Sequence, residues 1–384
     1  MEARLNRFDT VTRLPLPFNA AIVAKSKVAF AKNEGGGKTM ARPARIAVLG
    51  AGLIGKRHIQ HILAEPEAEL AAIADPAPVG KCLAEEKGVP WFPSFTDLLA
   101  VQKPDGVIVA TPNQLHLPHG MEAIAAGLPA LIEKPITGDV ASGTTLVEAA
   151  EAAGVPLLVG HYRRHNPMIR RAKEIIESGR LGRIIAVHTS CWLMKPDDYF
   201  EVSWRREKGA GPVFINLIHD MDLLRHLCGE VTCVQAFESN AVRGFPVEDT
   251  AVILLRFASG ALGTVTVSDT IVAPWSWELT TGENPAYHQT DQSCYFIGGT
   301  HGSLAIPKLD FWYNENKPSW WEPIYAERLP FQFEDPLRLQ IRHFCRVVRG
   351  EEQPLVSGRE GLNSLRLTGA VKDAAQTGQR IAVA

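Results

Sequence analysis

No apolar stretch in this 384-residue chain reaches the roughly eighteen to twenty uninterrupted residues that a membrane-spanning helix requires, so an integral membrane protein is not expected. An excess of one charge is also lacking. Forty Lys and Arg stand against forty-two Asp and Glu, and no basic block of the kind that neutralises phosphates is present, so no nucleic-acid partner is expected. Cysteine is sparse. Cys82, Cys191, Cys228, Cys233, Cys294 and Cys345 contain no Cys-x-x-Cys pair, which argues against a disulfide frame or a zinc ribbon and for reduced thiols in a cytoplasm. Internal repeats are absent too. What is present is a length natural for two domains and 46% hydrophobic residues, enough for sizeable cores.

Residues 1–39 carry seven basic and three acidic side chains, no lasting periodicity, and a Glu34-Gly35-Gly36-Gly37-Lys38 run ahead of Met40. Their apolar pieces are short and broken by charge, unlike a secretory signal. They read as a disordered extension, or as sequence upstream of a true start at Met40.

Gly50-Ala51-Gly52-Leu53-Ile54-Gly55 follows the apolar run Ile46-Ala47-Val48-Leu49, and Asp75 closes the next apolar run twenty residues beyond Gly55. This is the outline of a dinucleotide-binding βαβ unit. The glycines permit a tight strand-to-helix turn and close backbone approach, a pyrophosphate sits on the helix N-terminus, and the carboxylate ending strand two accepts ribose hydroxyls. A glycine-rich turn binding nothing is disfavoured by the strand before it, the helix-like Lys56 to Ala64 after it, and the acid at the expected distance. Asp75 would repel a 2′-phosphate and is followed by Pro76-Ala77 rather than by a basic residue, so NAD is expected over NADP.

Beyond Asp75, helix and strand patterns alternate. Helices are predicted at 79–87, 95–100, 116–126 and 144–153, with buried parallel strands at 106–110, 130–132 and 156–160. Ligands in such sheets sit at strand carboxyl ends. Thr111-Pro112-Asn113 with His116 leaves one strand and Glu133-Lys134-Pro135 the next, which makes these residues candidate cofactor contacts. From about residue 165 the period changes to two. Runs at 184–189, 231–237, 250–257 and 261–270 predict an open, mostly antiparallel sheet, covered by helices at 167–178 and 213–228 and completed by helices at 336–348 and 358–377. The expected organisation is an α/β fold: an extension over 1–42, a Rossmann NAD-binding domain over 43–164, and a substrate-binding and oligomerisation domain over 165–384. An exposed broad sheet face is costly, which points to pairing of subunits through it.

Together, Gly50 to Gly55, Thr111-Pro112-Asn113 with His116, Glu133-Lys134-Pro135, and Gly209-Ala210-Gly211 leading to His219 and Asp222 occur in the order and approximate spacing of one enzyme family. Over residues 43 to about 381 the chain resembles the glucose-fructose oxidoreductase / inositol dehydrogenase (Gfo/Idh/MocA) family. The resemblance implies a Rossmann domain followed by an α/β domain with a large antiparallel sheet, NAD(P) as cofactor, and interconversion of an alcohol and a carbonyl on sugars, cyclitols or related small polyols. It further implies homodimers or homotetramers packed through that sheet, and a cis peptide before Pro135 that turns Lys134 inward.

Oxidising a secondary alcohol sends a hydride from carbon and a proton from oxygen, so the site needs a base and a positive group near the developing alkoxide. Lys134 and His219 are the catalytic candidates. The ammonium orients the hydroxyl and lowers its pKa, while His219, on a helix and titrating near neutral pH, takes the proton. Read alone, the first is more often a surface ion-pair residue and the second a satisfied core histidine; the joint pattern singles them out. One departure is clear. Many family members carry an Asp four residues before the helix histidine, where this chain has Ile215, followed by Asn216. An amide cannot take a proton, but Asn216 shares a helix face with His219 and is expected to orient the imidazole or a substrate hydroxyl.

Asp220 and Asp222 are second-rank candidates, Asp222 reading as readily as a cap or an ion pair within its helix. Arg163 resembles the family's arginine near substrate, whereas Arg164 reads equally well as a solvated surface charge. Trp204-Arg205 precedes the glycine-rich segment, and the aromatic, irregular stretch 275–292 offers Tyr287 and His288 as substrate contacts, with a loop packed on the sheet as the alternative. His58, His61, His116 and His119 form no convincing metal set, and no metal is expected. Two other readings stand beside a sugar or polyol dehydrogenase: a dehydrogenase of a cyclic dihydrodiol or hydroxy-acid from aromatic breakdown, and a cofactor-sensing regulator, which would have little reason to keep both Lys134 and His219.

Overall fold

The structure is a computed structural model and describes residues 42–383. The expectations of a disordered extension and of a start at Met40 concern residues outside that range.

Short runs of Ala, Val, Ile and Leu form a six-stranded parallel sheet: β1 (Ala44–Leu49), β2 (Ala68–Ala74), β3 (Trp91–Phe92), β4 (Gly106–Val109), β5 (Ala130–Ile132) and β6 (Leu157–Val159). Strands β4, β5 and β6 are buried throughout, as strands with helices over both faces must be. The spatial order β3-β2-β1-β4-β5-β6 reverses direction between β1 and β4, and ligands bind at the carboxyl edge of such a switch point. Five helices make the crossovers: α1 (Leu53–Ala64), α2 (Pro78–Lys87), α3 (Phe95–Val101), α4 (His116–Ala125) and α5 (Val140–Ala153). Helix α5 starts a turn earlier than its apolar periodicity suggests because Asp139 caps it, accepting the Ser142 N–H at 2.8 Å.

The second half contains α6 (Pro167–Glu177), β7 (Ile184–Trp192), α7 (Ile218–Cys228), β8 (Val231–Ser239), β9 (Thr250–Phe257), β10 (Leu262–Ser268) and the short α8 (Trp277–Thr280). Then come β11 (Tyr295–Gly299), β12 (Gly302–Ile306), β13 (Asp310–Asn314) and β14 (Ile324–Arg328), followed by α9 (Pro336–Val348), α10 (Gly358–Thr377) and β15 (Ile381–Ala382). The nine strands run in the order β14-β13-β12-β11-β7-β10-β9-β8-β15. Neighbours are antiparallel except β7 and β10, which pair in parallel. Strands β11 to β14, absent from the sequence reading, are five residues each, too short for much period-two signal.

Strand β9 alternates cleanly. Ala251, Ile253, Leu255 and Phe257 face a core shared with α6, α7 and α10, while Val252, Leu254 and Arg256 face outward. Cross-strand pairing carries that outer face from Leu254 through Thr264 and His188 to Phe296. Leu254, Phe296 and, farther along, Trp312 and Ile324 are exposed there, around an apolar groove of about 590 Å³.

Helix α9 does not complete the second domain as expected. It packs on the first sheet, where Ile341, Phe344, Cys345 and Val347 join Ile46, Ile73 and Ile108 in one core. Its arginines reinforce this: Arg342 reaches Glu65 at 3.0 Å and Arg346 reaches Glu67 at 3.0 Å. An amphipathic helix states that one face is buried, not against which sheet. Helix α10 lies along the seam, giving Leu362 and Leu365 to the first half's core and Leu367 and Val371 to the second's. Among the described residues no helix is long and apolar enough to cross a membrane.

Candidate active site

Gly50 leaves β1 with φ +92°, and a Cβ there would lie 2.6 Å from the Ala110 carbonyl oxygen. A Cβ on Gly55 would lie 2.0 Å from the Gly50 carbonyl oxygen, so both glycines are needed for the turn to close. Gly52 is the N-cap of α1, no side chain caps the helix, and a Cβ there would meet nothing within 4 Å. Uncapped amides and the positive helix end form a seat for a pyrophosphate, with Gly52 and Leu53 exposed and Ile54 half-buried beside it. Asp75 points at this loop: one carboxylate oxygen accepts the Ala51 N–H at 2.6 Å and the other the Ala77 N–H at 2.7 Å. Each oxygen keeps a further lone pair for a ribose hydroxyl. The residues present fit a dinucleotide.

The loops after β4 and β5 are tied together by His116. Its Nδ1 lies 2.8 Å from the Pro135 carbonyl oxygen and its Nε2 lies 2.9 Å from that of Thr111. Buried in this way, His116 shapes the edge from behind, while Pro112 and Asn113 are exposed on it and Thr111 is half-buried. Glu133 is buried as well. Its Oε1 is 2.7 Å from Nε2 of His58 on α1, and its Oε2 accepts the Lys134 N–H at 3.1 Å. Burial raises the pKa of this carboxyl, but the His58 hydrogen bond and charge outweigh burial and hold it below its ordinary value. Gly160 must be a glycine, because its Cβ would sit 2.9 Å from the Glu133 carboxylate. The Lys134-Pro135 bond is cis.

Across from this edge, Gly209 has φ +90°, and a Cβ on Gly211 would lie 2.2 Å from the Glu248 carboxylate. Glu248 in turn accepts the Val213 N–H at 3.1 Å, which fixes the start of the helix that bears the site. That helix opens with a π-helical turn, Val213–Leu217, of a type that recurs at functional sites. Within it the Ile215 carbonyl accepts a hydrogen bond from Lys134 Nζ at 3.2 Å. Ile215, where the resemblance implied a carboxylate, therefore meets the lysine through its backbone. Burial is the main cause lowering the Lys134 pKa, with Glu133 partly restoring it.

His219 is buried, with its ring edge-on to Tyr162 at 5.5 Å and to His161 at 5.7 Å. Among the described residues its Nδ1 has no hydrogen-bond partner, nor has the buried Oδ1 of Asn216. Burial, followed by the charges of Lys134 and Arg163, drives the His219 pKa well below its ordinary value. This corrects the expectation of titration near neutrality: the imidazole is neutral at physiological pH, and the cause is tertiary.

Arg163 is 2% exposed, donating through its two Nη atoms to Asp220 at 3.2 Å and to Glu278 at 2.9 Å and lying 4.9 Å over the Trp277 ring. Arg164 is buried rather than solvated. It forks onto Asp222 at 2.8 and 2.7 Å and reaches Glu360 at 2.9 Å, so Asp222 binds outside its own helix. Asp220 also accepts the Tyr295 hydroxyl, and burial raises its pKa to about 6. Tyr287 lines a cleft of about 150 Å³ with Tyr162, Glu278 and Arg57, whereas His288 is exposed and outside that lining. Trp204 is exposed, and Arg205 stacks on Tyr199 at 4.1 Å.

Sequence reasoning missed Tyr162 and Glu278. Tyr162 sits at the exit of β6, where the switch-point rule points. Glu278 carries no local motif and reaches the site only through α8. Among the described residues no group of three or more His, Cys, Asp or Glu is arranged to hold a metal ion.

Residues 44–161 match the family model of the oxidoreductase family, NAD-binding Rossmann fold, and residues 169–305 match the GFO/IDH/MocA C-terminal domain. Inositol 2-dehydrogenase 4 of Saccharopolyspora erythraea is 31% identical over 241 residues, covering 59% of this chain and 67% of that protein. The rhizopine catabolism protein MocA of Rhizobium meliloti is 28% identical over 230 residues, 58% of this chain and 70% of that one. The crystal structure of the WlbA dehydrogenase from Bordetella pertussis, in complex with NADH and UDP-GlcNAcA, aligns with a TM-score of 0.72 at 28% identity, over 89% of this chain and 99% of that one. Matched by both family models over the segments that carry its glycine cradle, its Lys134 edge and its His219 helix, the chain belongs to the Gfo/Idh/MocA family of NAD-binding oxidoreductases.

Proposed function

We propose that the protein is an NAD-dependent dehydrogenase interconverting an alcohol and a carbonyl on a sugar, cyclitol or similar small polyol. The observation that carries this reading is the meeting of Lys134 with the helix of Asn216 and His219, where two buried polar atoms lack partners. Buried polar groups are rarely left so, and a substrate hydroxyl supplies what they lack. The inositol dehydrogenase among the relatives supports the substrate class.

When bound, the dinucleotide supplies the hydride acceptor. Lys134 orients the substrate hydroxyl and stabilises negative charge as it develops on that oxygen. His219, neutral in its buried setting, receives the proton. Asn216 holds a hydroxyl or the imidazole in line, and Arg163 acts through its grip on Asp220 and Glu278. Asp75, whose carboxylate would repel a 2′-phosphate and which is followed by Pro76-Ala77 rather than by a basic residue, favours NAD. Reduction of NAD and NADP against cyclitols, sugars and dihydrodiols tests the reading. The expected outcome is polyol-dependent reduction with kcat/KM at least about tenfold higher for NAD. Cofactor binding without turnover on any panel member would overturn the reaction, and equal use of NADP would overturn the preference.

The same reading makes the protein a homodimer or homotetramer joined through the outer face of the nine-stranded sheet, since exposed apolar patches of that kind mark contact surfaces. Light scattering is expected to give a multiple of the monomer mass, and Leu254→Lys combined with Phe296→Lys is expected to give monomers. A monomeric parent protein would refute this. All six cysteines are free thiols, which supports a reducing cytoplasm.

A further inference from the structure

Glu278 has one carboxylate oxygen committed and one unclaimed. Its Oε1 accepts Arg163 Nη2 at 2.9 Å, while its Oε2 is buried with no hydrogen-bond partner among the described residues. The side chain cannot easily turn to another donor, because Arg163 is itself pinned by Asp220 and stacked on Trp277. A buried acceptor left without a donor is costly, so the missing donor has to arrive with whatever enters the cleft. That cleft, of about 150 Å³, is lined by Glu278 and by Tyr162, the tyrosine whose ring abuts His219. A cavity of roughly this volume accommodates a six-membered ring. The charged groups in its lining are three carboxyls, Glu278, Glu283 and Asp335, against one guanidinium, Arg57.

We propose that Glu278 determines substrate specificity by accepting a hydrogen bond from a ring hydroxyl other than the one oxidised and by repelling substrates that carry a carboxylate. The inference rests on the dehydrogenase reading and narrows it: neutral or amino-bearing ring polyols fit, while uronates and hydroxy-acids do not. Like-charge juxtaposition in a desolvated cleft is an effective form of rejection.

The test uses the NADH-loaded protein and matched pairs of probes, glucose with glucuronate and galactose with galacturonate, together with myo-inositol. Binding is measured by calorimetry, and NAD reduction is followed with the same compounds. In the parent protein the neutral member of each pair is expected to bind at least about tenfold more tightly than its acid. Glu278→Gln is expected to weaken neutral-ring binding by about 10- to 100-fold and to narrow the gap within each pair, with NADH affinity unchanged. Glu278→Asp keeps the charge but shortens the reach, so it is expected to weaken the neutral rings while still rejecting the acids. This second variant decides the question if the Gln protein does not fold. The proposal is overturned if the parent binds uronates as well as neutral sugars, if it binds no panel member, or if Glu278→Gln leaves neutral binding intact. Binding that follows the expected pattern without any NAD reduction would instead refute the dehydrogenase reading and leave Glu278 as the selector of ligands.

Discussion

Lys134→Met is expected to lower turnover by about 10² or more while leaving NAD affinity, read by fluorescence titration, nearly unchanged. Methionine keeps the length and apolar stem of lysine and removes the charge, so Glu133, His58 and the loop they hold retain their packing. What disappears is the ammonium next to the oxygen on which charge develops, an interaction that strengthens toward the transition state. The loss should therefore fall on kcat. The pH profile gives a second readout. Burial lowers the Lys134 pKa, so the ammonium is lost as pH rises through a value below the ordinary 10.5. The parent's turnover should decline there, and the Met variant should lack that alkaline limb. A variant with normal turnover would remove Lys134 from the chemistry.

His219→Ala is expected to cost turnover by about 10² as well, again with NAD still bound. Because burial and neighbouring cations depress the His219 pKa, the neutral base is present from below pH 6.5 upward, and the parent's acid limb should lie below 6.5. The Ala variant should lose that limb. Asn216→Ala should cost less, since an amide orients without relaying a proton. Ile215→Asp places a carboxylate beside the ammonium of Lys134, which favours the charged lysine and should move the alkaline limb upward. Turnover against pH for these variants decides the assignment. Near-normal turnover of His219→Ala with an unchanged profile would send the search for the base to Lys134 itself.

The parts of the site legible in the sequence are those where local geometry dictates residue type. Gly50 and Gly55 are readable because no side chain fits there, and Asp75 because it ends a strand at a set distance from them. Strand β9 and the buried strands of the first sheet were readable because at least three consecutive residues share one environment rule. Strands β11 to β14 were not, since each is only five residues long and in β11 and β12 Gly298, Gly299 and Gly302 also break the alternation. The neutral state of His219, the burial of Arg164 and the arrival of Glu278 depend on residues 50 to 200 positions away, and no local pattern encodes such partners. The same reason hides the docking of α9 on the first sheet.

Helix α10 has a mechanical consequence. With Leu362 and Leu365 embedded in one core and Leu367 and Val371 in the other, the helix is a rigid spline across the cleft rather than a hinge. Swinging the two halves apart would strip apolar side chains from one core or the other, at about 1.5–3 kcal/mol for each one fully exposed. Relative motion of the sheet that carries Lys134 and the helix that carries His219 is therefore opposed by the same apolar contacts that bind α10 into both cores.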